Sequence, residues 1–289
     1  MLYRIFRGFC WLLALLPLRC LYIVSDLFFV LVCYVIRYRR KVVMNNLRNS
    51  FPEKTEKELR LIARKFYRFF CDIIFETVKL TNIDTPQILR RIRYSNPEIL
   101  EELHRKGKNI FVVAGHYGNW EWLVTQENTV PFHNATLYKP LNNKFFDGFL
   151  YNLRTKYGID VIPTDMVRQA INQYQRENRL TALCFLADQS PPRDAINYWT
   201  TFLNQETPVY TGIEILAKRY NAAVVYYEVR RVKRGYYEID VTLIAENAAE
   251  TAEMEITNKH VQLLEETIRR NPQYWLWSHR RWKHKKMES

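Results

Sequence analysis

Ile110-Phe111-Val112-Val113-Ala114-Gly115-His116-Tyr117-Gly118-Asn119-Trp120-Glu121 begins as an unbroken apolar run and ends in a glycine-flanked histidine and a carboxylate. A short apolar run rich in branched side chains, closed by glycine, reads as a strand buried on both faces. Asn119 is a suitable N-cap, so a helix is expected from about Trp120, with Glu121 in its first turn. The same alternation continues downstream. Strands are expected at 135–138, 159–162 and 180–187, with helices at 145–157, 166–178, 210–220 and 252–270. Residues 222–232 and 236–245 read as a hairpin around Arg234-Gly235. The implied fold class is α/β, with a mostly parallel central sheet, helices on both faces and an antiparallel hairpin at one edge.

Three apolar strands end in reactive or charged residues: the first in His116, the second in Lys139, the third in Asp188. Open α/β sheets bind ligands beyond the carboxyl ends of their strands, so these side chains should share a rim. The turn after the first strand can bring Glu121 back to His116. Such a pair suits general-base catalysis: the imidazole takes a hydroxyl proton while the acid fixes its tautomer. Backbone N–H groups at the helix start can meet an oxyanion. On spacing alone, Glu121 serves equally well as a complement to the helix dipole, and His116 as a surface residue. The remaining histidines, His104, His133, His260, His279 and His284, lack metal-ligand spacing, and no G-x-S-x-G or Walker-type loop occurs. No cofactor or metal is expected.

The N-terminus bears on location. Residues 9–36 are mostly apolar, interrupted by Pro17, Arg19, Ser25 and Asp26, and followed by Arg37, Arg39, Arg40 and Lys41. No small-residue cleavage site follows the apolar run, which argues against a signal peptide. Either one tilted helix spans a bilayer, with Arg19 or Asp26 near its centre, or a kinked segment lies in one leaflet. In both readings the basic cluster sits on anionic headgroups on the cytoplasmic side. Residues 37–80 read as amphipathic helix broken at Ser50-Phe51-Pro52-Glu53, with a capping box at Thr55 and Glu58. Residues 81–108 read as a connector with one short helix. The net charge of +13, from 43 basic and 30 acidic residues, calls for an anionic partner. Five cysteines with no C-x-x-C pair fit a reducing compartment.

The His116-x4-Glu121 pattern, set in Ala-Gly-His-Tyr-Gly-Asn-Trp-Glu, resembles the signature of the lysophospholipid acyltransferase superfamily. More closely it resembles the late acyltransferases of lipid A biosynthesis. The likeness includes Asn46-Leu47, Phe51-Pro52, Tyr138 through Asn143, Asp147, Arg154, Ala187-Asp188-Gln189, Phe202, Thr207 and Gly212. It ends on Tyr274-Trp275-Leu276-Trp277-Ser278-His279-Arg280-Arg281-Trp282-Lys283. The resemblance implies transfer of a fatty acyl chain from acyl carrier protein to a hydroxyl of a lipid A precursor. The hydroxyl would be that of an attached 3-hydroxyacyl chain, and the reaction would occur on the cytoplasmic face of the inner membrane. His116 and Glu121 would be catalytic; Lys139, Arg154 and Asp188 would bind substrate. Lys139 stands where the family has arginine and lacks the bidentate fork, which favours Arg154 for gripping an anion. The aspartate at 188 is either catalytic support or a structural turn residue. In the closing segment, Trp275 and Trp277 are expected inside and the late lysines outside.

The chain thus divides into an anchor with its basic flank (1–41), an amphipathic helical region (42–108) and a catalytic α/β domain (109–289). Two other activities fit parts of this pattern: acyl transfer to another membrane glycolipid or phospholipid, and thioester or lipid hydrolysis by the same dyad. A nucleic-acid-binding protein fits the charge but no recognition module is present.

Overall fold

The computed structural model describes residues 2–140 and 143–286. Two helices open the chain, α1 (Leu2–Leu15) and α2 (Leu18–Val30), parted at Pro17, which has no N–H with which to continue the first helix. A π-helical turn, Leu31–Val35, extends α2. The backbone then turns through Arg37 and Arg39, both left-handed (φ 54° and 48°), into α3 (Arg40–Ser50). The long α4 (Glu56–Lys79) starts at the expected capping box: the Thr55 hydroxyl accepts from the Glu58 N–H, and the Glu58 carboxylate accepts from the Thr55 N–H. Next come α5 (Thr85–Leu89), β1 (Ile92–Tyr94) and α6 (Glu98–Arg105).

The α/β portion follows: β2 (Ile110–Ala114), β3 (His133–Tyr138), α7 (Lys144–Thr155), β4 (Asp160–Pro163), α8 (Val167–Arg176) and β5 (Thr181–Leu186). Then come β6 (Trp199–Phe202), β7 (Gln205–Pro208), α9 (Gly212–Tyr220), β8 (Ala223–Lys233), β9 (Tyr236–Ala245) and α10 (Glu255–Arg270). Among the described residues, seven strands form one sheet in the order β1-β9-β8-β2-β5-β3-β4, parallel except where β8 meets β9. The β6–β7 hairpin stands apart. All five residues of β2 are buried, as its unbroken apolar run requires. Its alternation sends Ile110, Val112 and Ala114 to one face, and Phe111 and Val113 to the other. The first face packs Ile73, Trp122, Phe149 and Leu153; the second packs Val167, Ile171, Ile213 and Leu216. Beyond the strand ends a third cluster gathers Leu47, Phe51, Phe66, Trp275 and Trp277.

Two expectations are corrected. The hairpin does not form the sheet edge, because β1 covers β9; three residues with one fully buried side chain leave no periodicity to read. The segment from Trp120 is a 3₁₀ helix, Trp120–Asn128, in which two tryptophans and a Val-Thr pair disfavour the α form. Asp26 is paired within the protein, where Arg234 holds it at 2.8 Å and Arg68 at 3.1 Å. Beside it, Ser25 donates to the buried Asp72 at 2.8 Å. Thus α2 buries Leu18, Leu21, Tyr22, Ser25 and Phe29, while Ile23, Leu27, Val30 and Val35 are exposed. The stretch Leu18–Val35 is long and apolar enough to cross a membrane by length and composition.

Candidate active site

His116 and Asp188 meet because β2 and β5 are parallel neighbours in matched register, Ala114 opposite Leu186. The Ala187 N–H extends that ladder to the Ala114 carbonyl at 3.0 Å. One step further, Asp188 Oδ1 lies 2.6 Å from His116 Nδ1, and Oδ2 accepts the His116 backbone N–H at 2.9 Å. The indole N–H of Trp275 donates to the same Oδ2 at 2.8 Å. Burial opposes ionisation of Asp188. The His116 charge, its ring and backbone hydrogen bonds and the Trp275 bond outweigh that, holding the carboxyl down to about 2. A carboxylate accepts only, so Nδ1 carries the ring proton and Nε2 keeps its lone pair. Gln189 Nε2 sits 3.2 Å from that nitrogen. The Trp120 ring meets the imidazole edge-on at 5.1 Å.

The carboxylate on the imidazole is therefore Asp188, where the sequence suggested Glu121. Glu121 turns to Arg154, whose guanidinium reaches both its oxygens at 3.0 and 3.2 Å, and accepts from the Trp120 indole at 3.1 Å. Arg154 is thus neither a solvated arginine nor an unengaged anion grip. Asp188, grouped with substrate-binding residues in the sequence reading, is 6% exposed and has both oxygens engaged by the protein. Lys139 is exposed at the end of β3, two strands from His116, and the neighbouring motif residues Leu141 and Asn142 lie outside the described residues.

The glycines flanking His116 are required by packing within the protein. Gly118 has φ +61°, and a Cβ there would fall 1.9 Å from the Val229 carbonyl oxygen. A Cβ on Gly115 would meet Leu264 at 2.7 Å. Asn119 caps the 3₁₀ helix by accepting from the Trp122 N–H, and its amide donates to the fully buried Glu76 at 2.5 Å. Burial pushes Glu76 up to about 7, against hydrogen bonds from Tyr237 and Tyr22.

The closing segment carries what single-residue reasoning misses. Trp275 and Trp277 are buried and Lys283, Lys285 and Lys286 exposed, as expected, but Arg281 is buried rather than at the surface. Asn46 holds the segment by donating to the Trp277 and His279 carbonyls, both at 2.9 Å, and Arg39 donates to the Ser278 carbonyl at 3.0 Å. Part of the basic cluster at 37–41 is thus structural. Their only sequence signal is the Trp-Ser-His-Arg-Arg-Trp run itself.

Trp120, which packs against His116, also lines a cavity of about 50 Å³ together with Glu121, Leu123, Thr136, Arg154 and Leu186 among others. Among the described residues no cluster of His, Cys, Asp or Glu is set to hold a metal.

A strand-end histidine with an oriented tautomer, whose Nε2 meets only the Gln189 amide among the described residues, is equipment for drawing a proton from a substrate group. The family model for bacterial lipid A biosynthesis acyltransferases matches residues 2–284, and the chain belongs to that family. It is accordingly an acyltransferase of lipid A biosynthesis, using an acyl donor and a glycolipid acceptor. No curated protein matches the chain.

Proposed function

We propose that the enzyme moves a fatty acyl chain from acyl carrier protein to a lipid A precursor, using the hydroxyl of an attached 3-hydroxyacyl chain. The observation that carries this reading is the Asp188–His116 hydrogen bond, which leaves Nε2 as the proton acceptor. The acceptor hydroxyl displaces the Gln189 amide from Nε2 and gives up its proton there as the oxygen attacks the thioester carbonyl. Asp188 steadies the imidazolium that forms. N–H groups at the start of the Asn119-capped 3₁₀ helix stabilise the oxyanion, and the proton then passes to the departing thiolate. Glu121 assists by fixing Arg154 at the cavity mouth. Direct attack on the thioester needs no cofactor.

The exposed side chains Phe9, Trp11, Leu12, Leu15, Ile23, Leu27, Val30 and Val35 suit insertion into the inner membrane from its cytoplasmic face. The ion pairs of Asp26 with Arg234 and Arg68 favour the kinked, in-plane reading over a free spanning helix. The positive net charge suits both an acidic carrier protein and a phosphorylated glycolipid.

His116→Ala tests the proposal. Mass spectrometry of the glycolipid after incubation with acyl carrier protein thioester should show no added acyl mass, while circular dichroism stays native. Wild-type-like transfer by this variant removes His116 from the mechanism, and free fatty acid as the sole wild-type product means hydrolysis instead.

A further inference from the structure

Asp188 also lines a small cavity of about 10 Å³, room for one water, to which His116 does not contribute. Its walls include Asp188, Tyr226, His260, Leu264 and Arg281. Arg281 is 2% exposed, and its Nη2 donates to the Pro208 carbonyl at 2.7 Å. Its Nε and Nη1 are buried with no protein partner, and so is His260 Nε2. Among the described residues no carboxylate makes a contact ion pair with Arg281. A buried, incompletely bonded guanidinium is costly to the fold, which asks for a role that rewards it.

We propose that Arg281 is the fixed counter-charge of Asp188, a positioning residue that keeps His116 an uncharged base until the hydroxyl proton arrives. This rests on the reading of His116 as general base. A lone buried carboxylate bonded to an imidazole favours the imidazolium, which cannot accept a proton. A guanidinium lining the same cavity as that carboxylate cancels part of its field at His116. One water in the cavity would bond Arg281 and His260 together and fix the geometry.

The other groups around the pair do not provide this charge. His279 accepts the Ser190 N–H at 3.3 Å, and burial lowers it to about 4. His260 is lowered to about 4 by burial, despite Glu214. Arg154 is matched by Glu121 on the other side of Trp120. Tyr226 lends its hydroxyl to Thr267, and Gln189 and Trp120 are uncharged. Burial lowers Arg281 to about 10 while Asp188 pulls upward, so it remains a cation at working pH.

The test is the pH profile of kcat/KM for full-length enzyme in detergent, with acyl carrier protein thioester and a lipid A precursor. Arg281→Gln should move the acid limb up by about one pH unit, the scale of one nearby charge, so that the loss is greatest on the acid side and fades as pH rises. Arg281→Lys should keep the limb in place and lie within about tenfold of wild type. A parallel drop of the Arg281→Gln profile, with the acid limb unmoved, overturns the proposal. If Arg281→Gln does not fold, Arg281→Lys decides. A rate within about tenfold supports a charge role, and a pH-independent loss beyond a hundredfold overturns it. Activity in His116→Ala would instead defeat the general-base reading, so the two failures are distinguishable.

Discussion

Replacing Asp188 by asparagine tests whether tautomer control is the source of the activity. Oδ2 receives two backbone-anchored or packed donors, the His116 N–H and the Trp275 indole, at 2.9 and 2.8 Å. The oxygen of asparagine must stay there, which turns its NH₂ toward His116 Nδ1. That nitrogen must then accept, so the ring proton moves to Nε2, the atom that should attack the hydroxyl proton. Transfer should fall by about 10²–10⁴-fold, the range of a positioned general base. Stability changes less. The carboxyl value of about 2, against an ordinary 3.8, corresponds to roughly 2 kcal/mol, present above pH 3.8 and lost as pH falls through 2. Asparagine forgoes that gain but keeps both hydrogen bonds to its oxygen and re-forms the third with donor and acceptor exchanged. Initial rates by mass spectrometry, with 15N NMR of the imidazole, would read both effects. Turnover within tenfold of wild type, or an Nδ1-protonated ring in the variant, refutes the reasoning.

Gly118→Ala should destabilise the protein by at least about 2 kcal/mol, because a left-handed backbone and the Val229 carbonyl both resist a Cβ; thermal melts would check it. Glu76→Gln should relieve a pH penalty. The native carboxyl is raised from 4.5 to about 7, so its contribution is full below 4.5 and lost as pH rises through 7. The variant should match wild type near pH 5 and exceed it by up to about 3 kcal/mol at pH 8, measured by denaturant unfolding. His260 and His279, lowered to about 4, weaken both proteins equally as pH falls from 6.5 and cancel from the difference.

The sheet and the place of His116 are legible because apolar runs closed by glycine or a charge mark strand ends without help from the rest of the fold. The 222–232 and 236–245 hairpin is readable from its turn, and α4 from its capping box. The neighbour of His116 is a different matter. It depends on β5 entering the sheet between β2 and β3, and strand order is set by crossovers that no local pattern records. Five residues of separation made Glu121 the nearer candidate in sequence, while register made Asp188 the nearer one in space. Arg281 illustrates the same limit. In a segment dense with arginine and lysine, nothing local distinguishes the one cation drawn inside from those left in water.

Asn119 and Tyr22 share one carboxylate, Glu76, and Arg234 joins Asp26 of α2 to Asp72 of α4. Trimming the N-terminal helices to obtain a more soluble enzyme would therefore cut more than a tether. Leu21 and Cys10 would leave holes in the main core, and Asp72 would lose the Ser25 hydroxyl. The turn carrying His116 would loosen from beneath. An expression strategy for this protein should retain the first thirty-odd residues.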